Sequence, residues 1–417
     1  MRIRTTLPPF LAAIALLGGL LTVAPIANAA NPPIVVWVEA AMRPAVREAL
    51  PERFKKSKVI VRKADMANIG TLLDTTPVER APDLVLIPNE SVGALAEVFA
   101  IEPIAMPTQV AASFNRAALA GFRYGTGYYG IPMMRQNLAM VSNVNLVPTA
   151  PKTFTRLAKR ALALTAAGRA TVPLALGQGP EGNAITTYPL FSGLGGYVFG
   201  TNSDGSLNAQ DPGLMNATFR KNDKLINQWN DTGLVRSSLT SEEARSAFLA
   251  GQSPFWITGP DDIQRLRSGT FRYRITPVPQ IVKGITPVSM VNSWGFAMTS
   301  FAGQHGVSKV VQQFMTDVLA TPDVQVALTS RSPITALPAS IPALGKVTDP
   351  VLLAFGAAAT AAAVPVPNLP QWAAAKPLLA TAWRESTAGP DAVKARRAFT
   401  TAQEQLQAAV PPPAQGD

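Results

Sequence analysis

Gly125-Thr126-Gly127-Tyr128-Tyr129-Gly130-Ile131-Pro132 runs directly into Met133-Met134-Arg135-Gln136-Asn137-Leu138-Ala139-Met140-Val141-Ser142-Asn143. A glycine-rich turn feeds an aromatic strand. Pro132 takes that strand out of regular ladder pairing, because proline has no N–H to donate. A second apolar strand leads to the proline-rich turn Pro148-Thr149-Ala150-Pro151. Arg135, Gln136 and Asn137 put three polar side chains between two apolar strands, where a cleft lining would sit.

On both sides of this stretch, strands alternate with helices. Strands are expected at Ile34–Val38, Val59–Arg62, Leu84–Ile87, Thr171–Leu176 and Ser253–Ile257. Helices are expected at Pro44–Lys55, Asn68–Thr75, Val92–Phe99 (capped by Ser91), Thr153–Thr165, Ile185–Leu194, Pro212–Thr232 and Ser241–Ala250. Further helices follow at Val307–Leu319, Val351–Ala363, Trp372–Ser386 and Pro390–Ala409. The pattern predicts an α/β fold with a largely parallel sheet covered on both faces. A chain of 417 residues exceeds one ordinary core and predicts two domains.

The central stretch resembles the bacterial extracellular solute-binding proteins of ABC importers, in the branch that includes maltose-binding protein. Other strings resemble that family in the same order: Ile34-Val35-Val36-Trp37-Val38, Ala81-Pro82-Asp83-Leu84-Val85-Leu86-Ile87-Pro88, and Phe255-Trp256-Ile257-Thr258-Gly259-Pro260. Ser293-Trp294-Gly295-Phe296-Ala297-Met298 and Pro365-Val366-Pro367-Asn368-Leu369-Pro370-Gln371-Trp372 complete the series. The resemblance implies a two-lobe periplasmic-binding-protein fold with discontinuous domains and hinge strands between them. Residues 30–134 and 277–334 would form one lobe, and 135–276 with 335–409 the other. Residues 410–417, rich in proline, read as a flexible tail.

The first residues read as a secretory signal. Arg2 and Arg4 precede an apolar run from Phe10 to Val23, and Ala27-Asn28-Ala29 offers a small-x-small cleavage site. Export to the periplasm or the outside follows. The chain has no cysteine, which excludes disulfides, a thiol nucleophile and a lipid-modified N-terminal cysteine. Its single histidine, His305, excludes a histidine-rich metal site and reads as a solvated loop residue. The net charge is +11, but the basic residues are scattered and not interleaved with aromatics, so no nucleic-acid groove is expected. No cofactor or metal is expected, and a monomer is.

Sugar pockets combine flat apolar faces with amides, carboxylates or guanidinium groups for the hydroxyls. The resemblance carries ligand contacts onto Asn89 and Glu90 in the loop after the Pro-Asp strand. It puts Gln136 where the branch has a carboxylate, and Asn183 at its acidic-aromatic contact. Asp261 and Lys376 stand where the branch has stacking aromatics. Trp294 and Trp372 are candidate replacement platforms, and Arg135 completes the polar set. Bland readings stand beside these. Trp37 and Trp256 are read as core, Asp261 as a candidate helix cap, and Arg135 as a candidate bridge.

The expected function is capture of a carbohydrate-like solute between the lobes and its delivery to importer membrane subunits. One alternative is an exported carbohydrate-active hydrolase built on Asp261-Asp262. Adjacent residues entering a helix, however, do not face each other across a bond. Another is a binding protein for a charged non-sugar solute.

Overall fold

The computed structural model describes residues 32–55, 58–359 and 363–410. The expected leader, residues 1–29, lies outside them. So does the expected tail, apart from Val410, which packs into a core and is not free.

In chain order, β1 (Ile34–Val38), β2 (Val59–Lys63), β3 (Leu84–Pro88) and the short β4 (Ile101–Glu102) come first. A small hairpin, β5 (Arg123–Tyr124) and β6 (Gly127–Tyr128), leads into β7 (Ile131–Asn137) and β8 (Ala139–Asn143). A second hairpin pairs β9 (Phe199–Thr201) with β10 (Leu207–Pro212). β11 (Phe255–Thr258), β12 (Tyr273–Thr276), the long β13 (Met290–Thr299), β14 (Leu337–Pro338) and β15 (Val364–Pro365) follow.

The larger sheet has the order β14-β7-β13-β3-β1-β2, with β15 and β4 also paired to β13. The smaller has the order β11-β8-β12. β1 pairs parallel with β2 and β3, as the alternation predicts. β13 is antiparallel to both β3 and β7, so the large sheet is mixed rather than largely parallel. β13 enters from the smaller sheet, and no helical crossover dictates its direction.

The chain changes sheets at Leu138, between β7 and β8, and changes back between Thr276 and Met290. The boundary expected at 134/135 falls inside β7. Pro132 lies where the β7–β13 register shifts, with Trp294 opposite Met134 and Gly295 opposite Pro132. One extra residue on β7 makes a bulge, the place in a sheet where proline is tolerated. Gly295 is required there. A Cβ on it would lie 2.5 Å from the Ile131 carbonyl oxygen and 2.6 Å from the Phe122 ring.

Local chemistry sets the helices around these sheets. Thr153 caps Phe154–Ala166 by accepting from Arg156 N, and Gly168, at φ 67°, turns the chain after it. Thr240 and Glu243 form a reciprocal capping box on Ser241–Leu249. The strand expected at Thr171–Leu176 is reduced to one bridge, Ala175 to Trp256, since Pro173 removes a ladder donor. The helix expected at Pro212–Thr232 is instead the end of β10 followed by Ala217–Asn222 and Lys224–Asp231. Ser91 does not cap with its side chain. It closes the 3-10 turn Asn89–Ser91, which runs straight into Val92–Glu97.

One core gathers Phe191, Phe219, Trp383 and Phe399, with Phe219 4.8 Å from both other phenylalanine rings. A second lies on the larger sheet around Val36, Leu84, Met133 and Phe296. Trp37 and Trp256 are core residues, as read.

His305 departs from the sequence reading. Its Nδ1 bonds the Asp83 carboxylate at 2.7 Å and its Nε2 the Val78 carbonyl at 2.7 Å. Asp83 is 1% exposed and also accepts from Val35 N. The histidine therefore covers a buried acid and is not a free loop residue.

Candidate functional site

A cavity of about 280 Å³ opens beside the point where the chain changes sheets. Its walls include Gln136 from β7, Asn292 from β13, Asp261 beyond β11, Ile185, Trp256 and Arg245. Gln136 and Asn292 face each other across the β7–β13 ladder. Gln136 Nε2 donates to Asp261 Oδ1 at 2.7 Å and to the Thr335 carbonyl at 2.7 Å. Burial pushes the Asp261 carboxyl up, the Gln136 bond opposes that, and the net shift is upward. Asp261 therefore does not act as a cap. The helix it was expected to cap spans Ile263–Arg267 and has Asp262 as its N-cap residue.

The neighbouring Asp262 is engaged differently. Its Oδ1 accepts from Arg245 Nε at 2.8 Å and its Oδ2 from Thr258 Oγ1 at 2.5 Å. The two aspartates thus have separate partners and do not form a facing catalytic pair.

A second group of expected residues meets away from this cavity. Glu90 Oε2 accepts from Trp372 Nε1 at 2.9 Å and from Lys376 Nζ at 3.3 Å. Trp372 is 3% exposed and packs its ring in the core, so only its N–H edge reaches Glu90. Trp294 lies two residues beyond Asn292 on β13, on the same face, half-buried against the larger-sheet core.

Three expected contacts hold structure together. Asn89 is fully buried. Its Nδ2 donates to the Val366 carbonyl at 2.7 Å and its Oδ1 accepts from Ser293 N at 3.0 Å. Asn183 caps the helix Ala184–Gly193, its Oδ1 accepting from Ile185 N and Thr186 N at 3.0 Å each. Both side-chain oxygens are therefore occupied by backbone, and so is the Asn89 nitrogen.

Arg135 is 2% exposed and turns to the opposite face of β7 from Gln136. Its Nη1 reaches Asn137 Oδ1 at 3.5 Å, and its Nε has no partner among the described residues. A Cβ on Gly356 would lie 3.7 Å from its Nη2, which puts the guanidinium beneath the last turn of Pro350–Ala358. The negative end of that helix partly offsets the buried charge. Burial nevertheless pushes the guanidinium pKa down to about 10.

Sequence reasoning missed Asn292 and the Arg245–Asp262 pair. Asn292 sits one residue before the Ser-Trp-Gly string. Only the ladder register that sets it against Gln136 reveals it, and no local pattern encodes that register.

A family model described as "Bacterial extracellular solute-binding protein" matches residues 24–326, more than half of the chain. The galactooligosaccharide-binding protein of Bacillus subtilis (strain 168) is 23% identical over 294 residues, 68% of each chain. The maltodextrin-binding protein of the same organism is 26% identical over 250 residues, 57% of this chain and 58% of that one. The maltotriose-binding protein of Pyrococcus abyssi (strain GE5 / Orsay) is 24% identical over 227 residues, 54% of this chain and 47% of that one. The chain thus spans between about half and two thirds of the length of these relatives. Among solved structures, a cyclo/maltodextrin-binding protein complexed with maltotetraose superposes with a TM-score of 0.79 at 19% identity. That match covers 94% of this chain and 100% of that one, and establishes the periplasmic-binding-protein fold.

Proposed function

Because the chain belongs to the bacterial extracellular solute-binding proteins, a non-enzymatic binding family, we propose that it captures a carbohydrate-like solute and delivers it to the membrane subunits of an ABC importer. The Gln136–Asp261 contact carries this reading. Gln136 belongs to the larger sheet and Asp261 follows a strand of the smaller one, yet both line one cavity. Two lobes joined at the sheet changes could open and close on a solute held there. In this reading the lobes divide near Leu138, between 276 and 290, and after the second pairing of the chain with β7 at Pro338.

The galactooligosaccharide- and maltodextrin-binding relatives support a carbohydrate as the solute class. The cavity argues for a small one. Its volume of about 280 Å³ lies at the low end for ligand sites. Asp261 offers no flat apolar face for a glucose ring, and a charge desolvated on closure is costly unless the ligand pairs with it.

A thermal-shift screen of the processed chain against sugars and polyols tests the capture itself. A ligand at 100 times its dissociation constant should add about 2.7 kcal/mol of stability, and a screen with no hit among carbohydrates would overturn the reading. For maltotriose, calorimetric titration should show weak or absent binding; micromolar affinity would refute the argument from Asp261. Asp261→Ala should weaken a confirmed ligand about tenfold or more, equivalent to about 1.4 kcal/mol. Asp262→Ala should mainly lower stability, because it strands Arg245.

Export is a further expectation. The exported protein should begin at Ala30 and carry no lipid. Intact mass of protein recovered from the producing bacterium checks this, and a retained leader or an acyl adduct would contradict it.

A further inference from the structure

The cavity wall holds hydrogen-bond acceptors with nothing to accept. Asn292 Oδ1 is enclosed and has no partner among the described residues. Gln136 has both amide hydrogens engaged by Asp261 and Thr335, so only its carbonyl oxygen remains for a ligand. Asp261 receives neutral donors, the Gln136 amide and the Thr335 backbone, and no ion pair among the described residues reaches it. An enclosed acceptor left unpaired costs about 1–3 kcal/mol. A solute that satisfies these groups removes that penalty.

The charge of the lining points the same way. Two carboxylates, Asp261 and Asp262, and one guanidinium, Arg245, line the cavity. Arg245 is already engaged by carboxylates, with its Nε on Asp262 and its Nη1 on Glu242. The lining cation is thus already paired with two carboxylates, whereas no ion pair among the described residues reaches Asp261, on which the Arg265 charge acts only at longer range.

We propose that this cavity selects a ring-sized solute bearing an ammonium group, an amino sugar in chemical class, with the ammonium held by Asp261, Asn292 Oδ1 and the Gln136 carbonyl oxygen. An ammonium has three donors and no acceptor, which matches three acceptor residues in the wall of one cavity. A neutral hydroxyl brings one donor, and a phosphate brings further negative charge. Charge-assisted bonds are about twice as strong as neutral ones. Burial already pushes the Asp261 carboxyl up, and a bound ammonium would bring it back down. The inference rests on reading this cavity as the solute site.

D-Glucose and three rings that each differ from it in one substituent provide the test: D-glucosamine, N-acetyl-D-glucosamine and D-glucose 6-phosphate. Each is titrated by calorimetry into the processed chain at about pH 6.5, where a glucosamine ammonium is charged and an ordinary carboxylate is ionised. Glucosamine should bind about tenfold more tightly than glucose or the acetylated ring, with the phosphate weakest. In Asp261→Asn the preference for glucosamine over glucose should disappear. The ring series on the unsubstituted chain stands without that variant, should it fail to fold. Equal affinities, or tightest binding of the phosphate, would overturn the ammonium proposal and leave the carbohydrate reading intact. The same holds if all four rings fail while neutral oligosaccharides bind. Failure of every carbohydrate overturns both.

Discussion

Replacing Asp83 with alanine is expected to cost about 3–5 kcal/mol of stability, the usual range when one partner of a buried charged pair is removed. The carboxylate is 1% exposed and joins two distant parts of the chain. Its Oδ2 accepts from Val35 N at the start of the large sheet, and its Oδ1 holds His305 Nδ1. Alanine leaves a buried β1 amide unsatisfied and strands the imidazole. Equilibrium urea denaturation measures the loss, and a cost below about 1 kcal/mol would refute the role.

The same pair makes stability depend on pH. Both His305 ring nitrogens face acceptors, so both donate and the charged form is favoured. Burial lowers its pKa, the bonds to Asp83 and the Val78 carbonyl raise it, and the net shift is upward. A group with a raised folded pKa contributes fully below its unfolded value of about 6.5, and that contribution fades as pH climbs through the folded pKa. The chain should therefore be more stable near pH 6 than near pH 8 by an amount that His305→Gln abolishes. An unchanged pH difference in that variant would exclude His305 as its source.

Arg135→Met should have the opposite sign and raise stability by about 1–3 kcal/mol. The guanidinium is 2% exposed and no carboxylate pairs with it among the described residues. Among the described residues its side chain bonds only Asn137, at 3.5 Å, and Nε has no partner. Burial pushes its pKa down to about 10. By linkage, a lowered folded pKa means that burial destabilises the charged state. Methionine keeps much of the length and removes the buried charge, while the lost attraction to the helix end above it trims the gain. A loss of more than about 1 kcal/mol would mean the helix terminus stabilises the charge fully. A gain would indicate that this residue was not retained for folding.

How far the chain can be read locally differs by feature. The helix Trp372–Ser386 has the same bounds in sequence and structure, as does the strand Ile34–Val38. Both follow from apolar periodicity within the segment itself. Pro132 marked an irregularity from the sequence, and the structure places a bulge there. Thr171–Leu176 looked like a strand because its apolar residues suit one, but Pro173 and the absence of a full partner reduce it to one bridge. The family, too, was legible, through short strings whose order persists along the chain.

The partners of polar side chains were not legible. Asn89, Asn183 and Arg135 looked alike as candidates beside Gln136 and Asp261. Their roles separated only when the sheets came together. Gln136 meets Asp261 across 125 residues of chain, Asp83 meets His305 across 222, and Asn89 meets Val366 across 277. By itself, then, the sequence determined the strongly periodic strands and helices, their order, and the family. Tertiary structure alone decided which amides serve the backbone and which face the cavity. Side-chain alternation tells which residues share a face of a strand, but a hydrogen bond forms only over a few tenths of an ångström. That placement depends on the register between strands far apart in the chain, which local patterns do not specify.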